Sequence, residues 1–359
     1  MRVLSVVGAR PQFVKLAPIA RAMRGRVDHV IVHTGQHYDH NMSGAFFTDL
    51  GLPEPDVNLG VGSGRHGEQT GAMLAGLEKV IDDVAPDWVL VYGDTNSTLA
   101  AALAAVKLHV PVAHLEAGLR SFNRRMPEEH NRVLTDHAAD LLLAPTKVAM
   151  AHLAAEGLAN RSVCVGDVMT DVLYRVRDQV ADAPLELGAG VDVKGALSPG
   201  EYYVATIHRP DNTDDPARLR AIVDGIATVN KPVVLLAHPR LRGLAQRHGI
   251  ALDTGSIVAG EPLGYPQLVN AVLKSAGVIT DSGGLQKEAF LLRVPCTTLR
   301  PETEWVETLE HGWNVLVDND FADLPSIVDR PVPASTAATP YGDGNAAKTV
   351  VDALLAAQR

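Results

Sequence analysis

Hydrophobic and polar positions along the chain follow one repeating pattern. Runs of about five apolar residues alternate with longer stretches in which apolar residues recur at helical spacing. In the first half the apolar runs predict strands at residues 3–7, 29–33, 88–92, 112–115, 141–144 and 162–165. The clearest helices between them are predicted at residues 67–84, 97–108 and 147–155. Strands that alternate with helices in this way are typical of βαβ units and a parallel sheet.

The same pattern returns after residues 182–200, an aperiodic stretch rich in Pro, Gly and Asp that predicts a linker. Strands are predicted at 202–207, 233–237, 277–280 and 297–299, and helices at 216–229, 264–275 and 285–292. A final helix, predicted at 345–358, has apolar residues at helical spacing and should pack on another element, with the first domain as the candidate. We therefore expect an α/β protein with two Rossmann-like domains and a central cleft.

Length and composition agree with two domains and limit the possible functions. A chain of 359 residues with 46% hydrophobic content exceeds one ordinary core. It has no apolar run of about 18 residues and no leader before the first strand, so we expect a soluble, cytoplasmic protein without membrane contact. A net charge of −10 argues against a nucleic-acid partner. Both cysteines, Cys164 and Cys296, lie in apolar runs and are expected to be buried and chemically silent.

Acidic residues occur where predicted strands or loops meet the next element. Asp94 follows the strand at 88–92, Glu116 follows the strand at 112–115, and Glu128 and Glu129 come directly after Pro127 at a helix start. Open parallel sheets present reactive groups at the carboxyl ends of their strands, so these residues are a candidate carboxylate cluster.

Each of these acids also has a structural interpretation. Asp94 could cap a helix together with Thr95. Glu116, at a buried strand end, needs a partner, and Arg120, Arg124 and Arg125 are the nearby candidates. The helix dipole alone would account for either Glu128 or Glu129.

Two further motifs indicate an anion-binding site. In Val6–Lys15, VVGARPQFVK, a strand leads through Gly8 into a helix, and Arg10 and Lys15 place two cations near its amino end. In Thr280–Ala289, TDSGGLQKEA, the Ser282 hydroxyl and the amides of Gly283 and Gly284 can surround a phosphate at a helix amino end.

Glu288 lies one turn beyond Gly284 and faces the same way, so its carboxylate can accept both hydroxyls of a ribose. Phosphate and sugar recognition together indicate a nucleoside diphosphate. The alternatives are ordinary solvated cations at the first motif, and a capping turn with a surface glutamate at the second.

Two histidines end predicted strands of the second half. His208 could contact the phosphate or the reacting sugar, or could instead fix the following loop. For His238 a functional and a structural interpretation are equally weighted. The only close histidine grouping, His37 and His40 with Asp39, lacks a third ligand at a usual spacing, so no metal site is expected. The chain also lacks a GxGxxG pattern and a nicotinamide cofactor is not expected.

Taken together, these motifs resemble the non-hydrolysing UDP-N-acetylglucosamine 2-epimerases. The resemblance covers essentially the whole chain and rests on the ordered series GARPQ, GDTNSTLAAALAA, HLEAGLR, PEEHNR, TIHRPDN, TDSGGLQKEA, RPETEWVE and PYGDGNA. It implies the glycosyltransferase-B architecture, a homodimer and no cofactor. We expect residues 1–168 with 346–359 to form the domain of the catalytic acids, and residues 169–345 to form the UDP-binding domain.

The resemblance also implies an activity and a set of site residues. The activity is reversible epimerisation of UDP-N-acetylglucosamine to UDP-N-acetylmannosamine, through elimination of UDP to 2-acetamidoglucal and re-addition. The implied site residues comprise the catalytic group Asp94, Glu116, Glu128 and His208, the cleft cations Arg10 and Lys15, and the UDP-binding group Ser282, Gly283, Gly284 and Glu288.

Departures from the family pattern concern the substrate. GARPQ replaces the common GTRPE, so Ala9 and Gln12 stand in place of a threonine and a glutamate. Asp211 replaces a glutamate in the HRxEN motif, and GQHYDHNM at residues 35–42 resembles relatives that act on UDP-diacetamido-uronic acids. A modified UDP-aminosugar therefore remains an alternative substrate. A hydrolysing 2-epimerase, a glycosyltransferase and a silent nucleotide-sugar-binding protein are less favoured, the last because the acids are intact.

Overall fold

A computed structural model of the chain describes residues 1–35, 52–185, 187, 197–310 and 312–357. The chain divides into two compact units, unit 1 with Met1–Val172 and Thr339–Arg359, and unit 2 with Leu173–Ala338. Each unit is built on one parallel sheet whose strands alternate with helices. The predicted α/β class with two Rossmann-like sheets is confirmed.

Strands and helices alternate along most of the described chain. The strands are β1 Arg2–Val7, β2 Asp28–His33, β3 Val57–Asn58, β4 Trp88–Tyr92, β5 Val112–Leu115, β6 Leu141–Ala144, β7 Ser162–Cys164, β8 Tyr203–Thr206, β9 Val233–Leu236, β10 Ile257–Gly260, β11 Gly277–Thr280, β12 Cys296–Thr298 and β13 Asn314–Leu316. The helices are α1 Arg10–Met23, α2 His66–Val84, α3 Asn96–Lys107, α4 Pro127–Ala138, α5 Lys147–Ala155, α6 Val168–Val180, α7 Pro210–Thr213, α8 Pro216–Ala227, α9 Pro239–Arg247, α10 Tyr265–Leu273, α11 Gly283–Leu291, α12 Glu307–Glu310, α13 Leu324–Val328 and α14 Ala346–Ala356.

The sheet of unit 1 has the order β3-β2-β1-β4-β5-β6-β7. All of its strand pairs are parallel. The chain winds outward from β1 to β3 and then returns to the other side of β1 with β4. The turns after β1 and β4 therefore leave the sheet in opposite directions, which is the arrangement in which open α/β sheets bind ligands.

Alternating residues of β1 supply two separate cores on the two faces of this sheet. Val3 and Val7 belong to one core, which also contains Phe13 of α1 and Leu354 of α14. Leu4 and Val6 belong to the other, with the buried faces of α2 and α3. Because both faces are covered, most positions in these strands are apolar, which explains why the sequence pattern predicted them well. The final helix packs on the first domain's core, as expected.

Unit 2 repeats the same winding around its own sheet, whose order is β10-β9-β8-β11-β12-β13. Its core combines strand residues such as Ile279 with Leu219 and Ile226 of α8. The point where the winding reverses lies between β8 and β11, which pair in parallel with Thr206 opposite Thr280. The carboxyl ends of these two strands carry the TIHRPDN and TDSGG motifs.

The structure corrects the sequence pattern at the sheet edges. Strands β3, β10 and β13 were not predicted, and all three lie at or near an edge. Cys164 was expected to be buried, but it is exposed because β7 is an edge strand. Cys296 is buried as expected, and burial raises the pKa of its thiol to about 12.

Candidate active site

Asp94 and Glu116 lie at the carboxyl ends of neighbouring strands in unit 1. Strands β4 and β5 pair in parallel with Tyr92 opposite Leu115, and the Gly93 N–H donates to the Leu115 carbonyl at 3.0 Å. The chain therefore leaves the sheet at the carboxyl end of both strands. The sequence prediction that these two acids lie at the carboxyl ends of the strands agrees with this pairing.

Glu116 is held in a strained, buried position. Its φ of +71° lies in the left-handed region, which is costly for a residue with a side chain. Its N–H donates to the Leu143 carbonyl at 3.1 Å, and its carboxylate forms an ion pair with Lys15 of α1. Burial alone would lower the pKa of Lys15, but the Glu116 and Asp94 carboxylates outweigh it and raise that pKa. The amine is thus held as a cation beside the carboxylate.

The cation that pairs with Glu116 is therefore not one of the arginines proposed from the sequence. Arg120 instead contacts Asp136 Oδ2 through Nη1 at 2.7 Å and Glu156 Oε1 through Nε at 2.7 Å. Arg124 and Arg125 are exposed. The partner of Glu116 is Lys15 of α1, which lies 101 residues earlier in the chain.

Asp94 is connected to α4 by an ion pair. Its carboxylate contacts Arg132, and the Asn131 side-chain amide donates to the Asp94 carbonyl at 2.9 Å. About a third of the Asp94 side chain remains exposed, at 31%. The helix cap suggested for Asp94 is supplied instead by Thr95, whose side chain accepts the Thr98 N–H.

The two acids at the start of α4 have different environments. Glu129 is buried and accepts the N–H groups of Ser121 and Phe122, both at 2.9 Å, and also contacts Arg132 at 2.6 Å. Burial would raise its pKa, but these hydrogen bonds and Arg132 outweigh burial and lower it. Glu128 is exposed. Glu129 thus anchors the preceding loop, whereas Glu128 projects to solvent.

Gln12 joins the turn after β1 to the end of β4, at the reversal point of unit 1. The sequence showed that Gln12 departs from the GTRPE pattern but did not indicate this role. Its Oε1 accepts the Gly8 and Ala9 N–H groups at 2.8 and 3.0 Å. Its Nε2 donates to the Tyr92 carbonyl at 2.8 Å and lies 3.0 Å from the Thr98 hydroxyl. A carboxylate has no hydrogen to donate to that carbonyl, so the amide suits this position. The α1 helix begins at Arg10, but the Arg10 side chain lies outside the described part of the structure.

In unit 2, His208 forms a pair with Asp281 across the β8/β11 reversal point. The two side chains meet at 2.9 Å through His208 Nδ1, and the completely buried Asp281 also accepts the Arg209 N–H at 3.0 Å. Burial would raise the pKa of Asp281, but His208, Arg209 and Asn212 outweigh it and lower that pKa. The carboxylate accepts from Nδ1–H, which leaves Nε2 on a half-exposed ring for a ligand.

Asp281 was not selected from the sequence as a site residue. Its position directly after a buried strand is the same signal that identified Asp94 and Glu116 and could have found it.

The TDSGG motif forms the amino end of α11. The Ser282 Oγ accepts the Leu285 N–H at 3.3 Å, which caps the helix and leaves the hydroxyl hydrogen to donate. A β-carbon on Gly283 would lie 2.6 Å from Glu304 Oε1, whereas one on Gly284 would meet open space. The Tyr265 hydroxyl donates to Glu288 Oε1 at 2.9 Å, which orients that carboxylate.

His238 caps α9, since its Nδ1 accepts the Arg240 N–H at 3.3 Å. This supports the structural interpretation, and the ring is exposed. The GQHYDHNM segment after Gly35, with His37, Asp39 and His40, lies outside the described residues. In the described part of the chain, no three His, Cys, Asp or Glu side chains gather as metal ligands would. None of the described helices is long and apolar enough to cross a bilayer.

A family model for UDP-N-acetylglucosamine 2-epimerase matches residues 20–355. The chain belongs to the UDP-N-acetylglucosamine 2-epimerase family. The family resemblance noted from the motifs is therefore confirmed.

Named relatives include more than one activity within this family. A UDP-N-acetylglucosamine 2-epimerase of Methanocaldococcus jannaschii is 40% identical over 361 residues, covering 98% of each chain. A UDP-2,3-diacetamido-2,3-dideoxy-D-glucuronate 2-epimerase of Pseudomonas aeruginosa is 48% identical over 325 residues, covering 88% of each.

A solved structure gives the same fold. The crystal structure of Methanocaldococcus jannaschii UDP-GlcNAc 2-epimerase in complex with UDP-GlcNAc and UDP matches with a TM-score of 0.82 and 39% identity. The match covers 99% of this chain and 100% of that one. The structural match thus extends over nearly the whole chain.

Proposed function

We propose that the chain catalyses reversible C2 epimerisation of UDP-N-acetylglucosamine to UDP-N-acetylmannosamine without releasing the free sugar. The observation that carries this proposal is the Glu116–Lys15 pair beside Gly93 and Asp94, at the carboxyl ends of β4 and β5. Acids held at the carboxyl ends of neighbouring strands beside a partly buried cation suit a reaction that moves a proton while negative charge develops on a leaving group.

The chemistry requires elimination before epimerisation. The C2 proton of an intact pyranose has no adjacent carbonyl, so a carboxylate cannot remove it at neutral pH. When the C1–O bond to UDP breaks, C1 gains oxocarbenium character and the C2 proton becomes acidic. Its removal gives 2-acetamidoglucal and UDP. Addition of UDP at C1 and of a proton to the other face of C2 completes the inversion.

The proposed division of labour follows the chemistry of each unit. Asp94, Glu116 and Glu128 of unit 1 carry proton transfer, and Lys15 with Arg10 offsets negative charge on the departing diphosphate. In unit 2, Ser282, Gly283 and Gly284 bind phosphate at the amino end of α11, and Glu288 binds the ribose. His208, oriented by Asp281, supplies a ring nitrogen at the same end of the sheet. His238 is assigned the helix cap described above and a place at the edge of the UDP site.

A second candidate substrate is favoured by one comparison. Identity to the Pseudomonas aeruginosa UDP-2,3-diacetamido-2,3-dideoxy-D-glucuronate 2-epimerase is 48%, against 40% for the Methanocaldococcus jannaschii UDP-N-acetylglucosamine enzyme. The C2 chemistry is the same for both sugars, since both carry the 2-acetamido group and the UDP leaving group. They differ at C3 and C6.

Proton NMR in deuterated water tests both substrates and the reaction type. Each UDP-sugar is incubated separately with the protein. Deuterium at C2 in a gluco/manno mixture of intact UDP-sugars is expected, and the faster substrate is the preferred one. Free sugar with UDP as the end product indicates a hydrolysing enzyme. Absence of C2 exchange with both sugars overturns the proposal.

The proposal includes a homodimer, which the family resemblance implies. Light scattering coupled to size exclusion should give twice the mass of the chain. A mass equal to one chain across a range of protein concentrations would contradict this part of the proposal.

A further inference from the structure

His114 lies in the middle of unit 1, two residues before Glu116 on β5, and its side chain is completely buried. Its Nε2 is 2.7 Å from the Gly93 carbonyl oxygen, and its Nδ1 is 2.7 Å from Asp136 Oδ1 on α4. It therefore connects the turn that carries Asp94 with α4, whose first turn contains Glu128 and Glu129.

Both partners of the His114 ring are hydrogen-bond acceptors. A carbonyl oxygen only accepts, so Nε2 must carry a hydrogen. The second oxygen of Asp136 is occupied by Arg120 Nη1 at 2.7 Å and by the Gly118 N–H at 3.0 Å, which are both donors. The Arg120 guanidinium is a cation and favours the ionised form of this carboxyl group, whose other oxygen then also accepts. Nδ1 therefore also carries a hydrogen, and a neutral imidazole has only one.

We propose that His114 is a buried imidazolium that donates from both ring nitrogens and positions the Gly93–Asp94 turn for proton transfer. It is a positioning residue, since it acts on the substrate only through this turn. The kinetic part of this inference rests on the proposed function, whereas the charge state does not.

The charged groups around His114 allow this state. Asp136 and Arg120 are both buried, and Arg120 extends to Glu156 at 2.7 Å, which His137 also approaches at 3.1 Å. Two cations, His114 and Arg120, thus face two carboxylates, Asp136 and Glu156. Burial would raise the pKa of Asp136, but His114 and Arg120 outweigh it and lower that pKa. A connected, satisfied network is the form in which buried charges persist.

The Gly93 turn is where this network reaches the acids. The Gly93 carbonyl belongs to the peptide group that also carries the Asp94 N–H. A β-carbon on Gly93 would lie 3.2 Å from Glu116 Oε2 and 3.4 Å from Lys15 Nζ. The charge-assisted hydrogen bond from His114 therefore fixes the peptide plane that lies between Asp94 and the Glu116–Lys15 pair.

Nitrogen-15 NMR of histidine-labelled protein tests the charge state without substrate. The His114 signals, identified by their loss in His114→Gln, should show both ring nitrogens protonated at neutral pH. In Asp136→Asn the new amide can donate to Nδ1 while its oxygen still accepts from Arg120 and Gly118, so Nδ1 should lose its hydrogen. An unprotonated His114 nitrogen in the unsubstituted protein at neutral pH overturns the proposal.

Kinetics test the positioning. His114→Gln should lower kcat for C2 exchange about tenfold to a hundredfold, with KM and UDP affinity changed little, because displaced catalytic groups lose rate rather than binding. The control is His109→Gln, the same change at an exposed residue before the amino end of β5, which should leave kcat unchanged. A rise in KM as large as the fall in kcat, or an unchanged kcat, would refute the positioning role of His114. If the unsubstituted protein exchanges neither UDP-sugar, the proposed function fails while the NMR result still stands.

Discussion

Gly93 occupies a position where a glycine is needed for two separate reasons. Its φ of +63° is in the left-handed region, and a β-carbon there would approach Glu116 Oε2 to 3.2 Å. The first reason concerns stability and the second concerns the geometry of the acid–lysine pair. The chain offers a comparison that separates them, since Gly157 has a φ of +78° and a β-carbon added to it would meet no atom within 4 Å.

Gly93→Ala should lower the free energy of unfolding by about 1–2 kcal/mol and should slow C2 exchange at least about tenfold, since Glu116 and Lys15 must shift. Gly157→Ala should lose similar stability, because the backbone cost is the same, and keep the exchange rate. Urea unfolding and deuterium exchange at C2 measure the two effects. Equal exchange rates in the two variants would contradict the importance of the Gly93 contact.

Substitutions of Glu128 and Glu129 should also affect catalysis and stability separately. Glu128→Gln should abolish C2 exchange with UDP still bound, and should change the free energy of unfolding by less than about 0.5 kcal/mol, since the side chain is exposed. Glu129→Gln should destabilise by about 1–3 kcal/mol, because an amide group would face the N–H donors that the carboxylate accepts. Isothermal titration with UDP and urea unfolding check these results. The assignment fails if Glu128→Gln retains exchange.

For single residues, the sequence identified the acidic side chains of the site but not the cations that pair with them. Asp94 and Glu116 could be predicted because a carboxylate directly after a buried strand is unusual and needs an explanation. The pairing of Glu116 with Lys15 could not be predicted, because it depends on which helix passes the end of β5 in three dimensions. The nearby arginines were the wrong choice for the same reason.

Among the elements of unit 1, strands β2, β1 and β4 are joined by a row of three polar side chains, of which Ser5 and Tyr92 are completely buried and His29 is partly buried. His29 of β2 lies 2.8 Å from the Ser5 hydroxyl of β1, which lies 2.8 Å from the Tyr92 hydroxyl of β4. Burial lowers the pKa of His29 from 6.5 to about 4, although Asp56 and Asp28 oppose the change. This row therefore keeps a neutral histidine inside the sheet.

The lowered pKa makes the protein sensitive to acid. The unfolded chain binds a proton at the ordinary pKa of 6.5 and the folded chain only near 4, so stability falls as pH drops between these values. At about pH 5 the loss attributable to His29 is about 2 kcal/mol. His29→Gln should remove this part of the loss. Urea unfolding at about pH 7.5 and about pH 5 gives the difference for each protein, and identical differences would refute the role of His29.

The elements that the sequence predicted well are those with a clear physical signal. Strands buried on both faces, such as β4 and β11, appear as continuous apolar runs. The edge strands β3 and β13 have only 2 and 3 residues, and their pairing depends on the neighbouring strand rather than on their own composition. The exposure of Cys164 was missed for the same reason, because a run of apolar residues does not show whether the strand lies in the middle of the sheet or at its edge.

For the whole molecule, unit 1 is built from two distant parts of the chain. Unit 2 occupies the sequence between them, and α14 returns to the core formed by β1 and α1. Val350, Val351 and Leu354 are completely buried there, and Asp171 of α6 accepts the Ala346 and Ala347 N–H groups at 3.0 and 2.8 Å. The last helix is thus a structural part of the domain that carries the proposed catalytic acids.

Leu354→Ala should lower the free energy of unfolding by about 2–5 kcal/mol, as expected for a cavity in a close-packed core. Lys348→Ala, on the exposed face of the same helix, should change it by less than about 0.5 kcal/mol. Hydrogen exchange should locate the loss in unit 1, with protection in β8 and β11 unchanged. A loss spread equally over both units would contradict the assignment of α14 to unit 1.

The return of α14 has a consequence for synthesis on the ribosome. The apolar face that Phe13 and Leu16 present is complete in sequence within the first 23 residues, yet its cover is translated only after residue 345. Nascent chains therefore lack the cover of this hydrophobic surface while all of unit 2 is being made, and exposed surface of this kind makes folding intermediates prone to aggregation. A chain that ends before residue 345 lacks the helix that covers this surface, so it leaves this core incomplete.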